Sequence, residues 1–224
     1  MRTDLRYRAA VAGAELQLLV LASEPDGCVG VDLESGAFVR ALYPGAGDLP
    51  LFPFDVASVA IGDPLDPPDA ARPEAVLLES PPRRVGRLRP RRAERYLHAL
   101  RHPPHRPLLG FQGVSVPYWT LSGDQPSLAL VEPTDGPHVV ADAFGYSCRF
   151  GWDGAVHQLP LADEALSARL AELRRRRCSP RELTRVLGYV PGRLLLMVAA
   201  PLKGHCSKQV AALLPAARRT GLRG

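Results

Sequence analysis

The chain has 224 residues, 46% of them hydrophobic and 23% charged, which is enough to bury a core and excludes a wholly disordered chain. Twenty glycines and 23 prolines favour many short elements over long helices, and no apolar run approaches the ~20 residues needed to cross a bilayer. The net charge of +5 is unevenly spread: residues 23–80 hold eleven acids against Arg40 and Arg72, whereas residues 83–106 hold nine arginines against Glu94.

Arg2, Arg6 and Arg8 precede an apolar stretch, as in a secretion signal, but Asp4, Glu15 and Gln17 interrupt it. The expectation is a cytoplasmic protein with flexible ends over 1–14 and 216–224. An apolar run over 16–22 is stopped by Glu24, Pro25, Asp26 and Gly27, and a second run follows over 28–32. This reads as strand, tight turn, strand. Glu34, Ser35 and Gly36 turn the chain into a third strand over 37–43, with Phe38, Arg40 and Leu42 on one face and Val39 and Ala41 on the other. Two more strands, over 56–61 and 75–79, complete a small barrel spanning 15–80, with a loop where an OB barrel has its helix between the third and fourth strands and an SH3-like barrel as the alternative.

Residues 81–110 form an Arg/Pro-rich connector with one helix over 91–100. Ala93, Tyr96, Leu97 and Leu100 give that helix an apolar stripe, and Arg92 and Arg95 lie away from it. The second half, 111–215, again reads as strands: 127–131, 138–144, and a hairpin in which Asp153 and Gly154 join 146–152 to 155–159. Asp163 caps a helix carrying Leu166, Leu170 and Leu173 on one face, with Arg174–Arg177 at its C-terminal end. Ser179, Pro180 and Glu182 form a capping box for a short helix that Gly188 ends. Strands over 193–200 and 208–214 follow. Three strands, a helix and two strands are the order of a five-stranded OB barrel. The expected class is therefore mostly β: two small OB-like barrels, the second with a helix between its third and fourth strands.

Several residues resemble the dual OB-containing domain family of bacterial proteins. They are Leu19 to Ser23, Gly27 to Asp32, Gly36, Phe38, Val39 and Arg40, then Pro73 to Val76, Ser127 to Pro133, and Phe150 to Asp163. Ala200, Pro201, Gly204, His205, Cys206, Lys208, Val210 and Ala211 close the series. The resemblance implies two barrels, no catalysis, and a role in binding or sensing nucleic acid in prokaryotic conflict systems.

On the residues themselves, the basic segment is the candidate phosphate contact, because each phosphate neutralised releases counterions. Arg83, Arg84, Arg87, Arg89, Arg91, Arg92 and Arg95 are its members, with Arg149, Lys203 and Lys208 as lesser candidates. Phe144, Tyr146, Cys148, Phe150 and Trp152 share one strand face, read as core with base stacking as the alternative. Cys28, Cys148, Cys178 and Cys206 lack metal-ligand spacing and read as reduced buried thiols. His98, His102 and His105 read as surface histidines rather than a metal cluster. No phosphate loop, dinucleotide fingerprint or nucleophile elbow is present, so no enzyme and no cofactor is expected. The expected partner is DNA or RNA. A protein-interaction adaptor docking through barrel edges or the acidic 23–80 face is the alternative, and an enzyme built on Cys28, His205 and Cys206 a remote one.

Overall fold

A computed structural model describes residues 12–44, 51–63, 65, 69–104 and 106–216. The protein is mostly β, built from three sheets and three α-helices among the described residues. In the first half, β1 (Glu15–Glu24), β2 (Gly27–Asp32), β3 (Phe38–Leu42), β4 (Asp55–Ala60), β5 (Ala75–Leu77) and β6 (Arg83–Arg87) form one sheet in the order β5-β3-β2-β1-β4-β6. All neighbours are antiparallel except the parallel pair β3–β5.

The turn between β1 and β2 depends on Gly27, at φ 155°. A Cβ there would stand 1.9 Å from the Ala41 carbonyl oxygen, so only glycine admits the close approach of β3. A bulge between Val20 and Ala22 adds to the bend of β1. The sheet curls far enough that Ile61, just past β4, bridges Leu78, just past β5. The Gly62 N–H donates to the Leu77 carbonyl at 2.8 Å, and the Glu79 N–H to the Ala60 carbonyl at 3.0 Å. Leu18, Val20, Cys28, Val39, Ala41, Val59 and Ile61 fill the concave side. Strand alternation places Leu19, Leu21, Val29 and Val31 on the opposite face, turned towards the second half.

Strand β6 was not among the elements expected from the sequence. It extends the first sheet by pairing with β4, so the connector begins as part of that sheet. It leads into α1 (Pro90–Leu97), shorter than the 91–100 expected because a 3₁₀ turn takes over at His98–Leu100. Ala93, Leu97 and Leu100 insert between the halves. One shared apolar layer joins Leu19, Leu21 and Phe38 of the first half to Leu130, Leu195 and Leu214 of the second. Each such side chain contributes about 1.5–3 kcal/mol by leaving water.

The second half contains β7 (Ser115–Pro117), β8 (Leu128–Val131), β9 (Asp135–Asp142), β10 (Gly145–Trp152), β11 (Ala155–Pro160), α2 (Glu164–Glu172), β12 (Arg177–Cys178), α3 (Pro180–Leu187), β13 (Pro191–Val198) and β14 (His205–Pro215). Two four-stranded sheets result, β11-β10-β9-β12 and β7-β14-β13-β8. Leu161, just past β11, makes a parallel bridge to Val210 of β14 and so links the two sheets. Asp153 and Gly154 both take positive φ, 49° and 71°, as a type I′ hairpin turn requires. Asp163 caps α2 by accepting from the Leu166 N–H at 2.9 Å, and the Ser179/Glu182 capping box starts α3, which Gly188 ends at φ 76°.

Buried charge ties the halves together. The Arg40 guanidinium lies 3.0 Å from Glu74 and 3.9 Å from Glu24, and it also reaches the Val198 carbonyl of β13 at 3.4 Å. The Ser127 hydroxyl donates to Glu74 from the second half. Burial pushes the Glu24 carboxyl above the usual carboxylate range, against the lowering effect of Arg40.

Candidate nucleic-acid interface

The basic segment is carried by two rigid elements. On edge strand β6, Arg83, Arg84 and Arg87 are exposed. On α1 the helical period turns Ala93 and Leu97 inward, which sets Arg91 and Arg95, four residues apart, on the face directly opposite the core. Arg92 lies on one flank, and exposed Arg89 precedes the helix as its N-cap.

Pairing divides these arginines. Asp55, wholly buried at the start of β4, holds its carboxylate 3.1 Å from Arg84 Nε and 3.8 Å from Arg87 Nε, while its other oxygen accepts the Phe52 N–H at 3.0 Å. Arg101 is likewise committed, with Glu94 at 3.1 Å and Glu132 at 2.9 Å. By contrast, Arg83, Arg89, Arg91, Arg92 and Arg95 pair with no carboxylate among the described residues. Arg95 instead donates to the Tyr96 hydroxyl at 2.7 Å and lies over its ring. The N-terminus of α1 has no side-chain cap and no acid in its first turn, so no side-chain charge there offsets the positive end of the helix dipole.

The far flank of α1 is anchored. Glu94 meets Arg193 of β13 at 2.7 Å, and Arg193 also reaches Glu132 at 2.8 Å. Arg193 is buried, so this network fixes the helix to the second half and sets the exposed arginines at defined positions. Sequence reading missed Asp55 and Arg193, because their partners lie 29 to 99 residues away in the chain.

The lesser candidates lie apart. Arg149 is exposed on β10, in register with His138 and Gln158. Lys203 is exposed in the turn before β14 at φ 50°, beside Leu202 and Gly204. Trp119, 74% exposed, covers Gly204 and has its ring 6.2 Å from His205. Lys208 is buried: its ammonium donates to the Phe111 carbonyl at 2.7 Å and faces the Phe111 ring at 4.4 Å. Burial draws its pKa down to about 8.

Of the aromatic row, Cys148, Phe150 and Trp152 are core, Tyr146 is half-buried, and Phe144 stands fully exposed in the turn before β10. All four cysteines are buried and unpaired, and burial raises the thiols of Cys28 and Cys148 to about 12. His205 is exposed and Cys206 buried, as neighbours on a strand must be. His98 is exposed, whereas His102 is buried against the edge of Trp152 with Nδ1 3.0 Å from the Pro103 carbonyl. His105 lies outside the described residues. No group of three or more potential metal ligands occurs among the described residues, and no described helix is long and apolar enough to cross a membrane. Compared with protein-family models, curated proteins and solved structures, the chain matches none.

Proposed function

We propose that the protein is a non-catalytic nucleic-acid-binding or sensing module in which the β6–α1 face engages the phosphate backbone. The observation that carries this reading is the set of five exposed arginines, Arg83, Arg89, Arg91, Arg92 and Arg95, that have no carboxylate partner among the described residues and lie along β6, α1 and the link between them. A cation held at a fixed position and not already neutralised is the chemistry that positions a protein on phosphates.

The strand connections support a barrel of OB type in each half. In the first, the Ile61–Leu78 bridge between the ends of β4 and β5 and the parallel β3–β5 pair support a ring in the order β1-β2-β3-β5-β4. In the second, consecutive strands β8 and β9 pair with β13 and β10 respectively, as one bent first strand would, and the Leu161–Val210 bridge sets β11 beside β14. OB barrels commonly present nucleic-acid-binding faces. The resemblance to the dual OB-containing domain family carries the same expectation.

Equilibrium binding to labelled single- and double-stranded DNA and RNA tests the proposal. At low salt, affinity in the micromolar range or better is expected, falling about 100-fold or more between 50 and 200 mM salt if four to five phosphates are contacted. No binding to any of the four at low salt would overturn it. The adaptor reading rests on a separate observation, the exposed apolar side chains of Leu202, in the turn before β14, and of Trp119, which packs over Gly204 of the same turn. It requires a salt-tolerant protein complex that is indifferent to reversing the β6–α1 charges.

A further inference from the structure

A cleft of about 650 Å³ is lined by residues between Arg106 and Val114, by the β10–β11 hairpin and by Lys208, and by no residue of β6 or α1. The Lys208 N–H donates to the Val114 carbonyl at 2.9 Å, pinning the covering segment to β14. Lys208 lines this cleft. Only 4% of this residue is exposed, and its one hydrogen-bond partner among the described residues is the Phe111 carbonyl. Asp153 also lines the cleft but makes no ion pair with Lys208. Taking an ammonium out of water without a counter-charge is costly, and an aliphatic side chain would fill the same space at lower cost. Lys208 is also one of only two lysines in a chain with 26 arginines. A compact, strongly hydrated point charge, largely stripped of water, therefore waits for an anion.

The walls specify what accompanies that anion. His157 stacks on Phe150 at 5.4 Å between centroids and 22° between planes, and its buried Nε2 has no hydrogen-bond partner. Phe111 and Trp152 add aromatic surface, and Gln112 adds an amide able to both donate and accept. A buried ammonium, flat rings on the walls and a two-way hydrogen-bonding group match one nucleotide, and the volume lies within the range of small-molecule sites. We propose that this cleft binds a single nucleotide, its phosphate on Lys208 and its base between the ring and amide walls.

This site does not depend on the arginine face, and the two are separable by experiment. Calorimetric titration of the full chain with adenosine, guanosine, cytidine and uridine monophosphates, with inorganic phosphate as control, is the direct test. At least one nucleotide is expected to bind at micromolar to submillimolar concentration and more tightly than phosphate alone. Lys208→Met should weaken it ten-fold or more without lowering the melting temperature, and His157→Phe, which keeps the stacked ring, should weaken it several-fold. Arg91→Glu/Arg95→Glu should leave it unchanged while impairing binding of long strands. A 5′-phosphorylated oligonucleotide that displaces the mononucleotide would support a strand end as the natural ligand; failure to displace it would support a free nucleotide. Absence of binding at millimolar nucleotide, equal binding of phosphate alone, or undiminished binding by a folded Lys208→Met variant would each overturn the assignment.

Discussion

Replacing Arg40 with methionine tests how the two halves are held together. Arg40 is the only cation within 4 Å of Glu74 among the described residues, and both side chains are buried. At 3.0 Å and an effective dielectric constant of ~20, their gross attraction is about 5 kcal/mol, and losing one partner of a buried pair typically costs about 3–5 kcal/mol. The Val198 carbonyl of the second half loses its guanidinium contact as well. Urea unfolding at pH 8 should therefore show the variant less stable by roughly 3 kcal/mol or more. Adding Glu74→Gln, which removes the stranded charge yet still accepts from Ser127, should restore at least half of the loss. Acidification adds a second check. Glu24 already has a carboxyl pKa raised by burial, so protonation of the folded state stabilises it relative to the unfolded chain as pH falls. Without Arg40 this effect should grow, and the penalty should be smaller at pH 5 than at pH 8. A penalty below about 1 kcal/mol, or a double variant no more stable than the single one, would refute the reasoning.

Three further outcomes are expected. Asp55→Asn, which keeps an acceptor for the Phe52 N–H, should free Arg84 and Arg87, tightening nucleic-acid binding several-fold and steepening its salt dependence while lowering the melting temperature. Lys208 has its folded pKa lowered to about 8 from 10.5, so its burial destabilises the fold below pH 8. That penalty should fade as pH rises from 8 towards 10.5, so that Lys208→Met exceeds the natural protein by about 3 kcal/mol at pH 7 and by little at pH 10, in paired denaturant titrations. Ser179→Ala removes the capping box of α3 and should cost about 1 kcal/mol in the same assay.

The strands of the first half were legible because their cues are local: apolar runs broken by Glu24–Gly27 and Glu34–Gly36. So were both helix caps of the second half, each written within four residues. Strand β6 was not, because Arg-Arg-Val-Gly-Arg after two prolines has no apolar face and becomes a strand only by pairing with β4. Charge was legible as a count but not as a surface. Asp32, Asp55 and Glu74 are buried, so the acidic face is weaker than the eleven acids of 23–80 suggest, and Asp55 quenches part of the basic segment. The lysine cleft was hidden for the same reason: Phe111, His157 and Lys208 meet only once β11 lies beside β14.

The most direct test of the account is the change in salt dependence when Arg83, Arg89, Arg91, Arg92 and Arg95 are all replaced by glutamine, with folding verified by circular dichroism. For duplex DNA, the account predicts that the slope of log affinity against log salt moves towards zero by about 3 to 4 and that low-salt binding falls at least 100-fold. A slope and an affinity indistinguishable from those of the natural protein would contradict it.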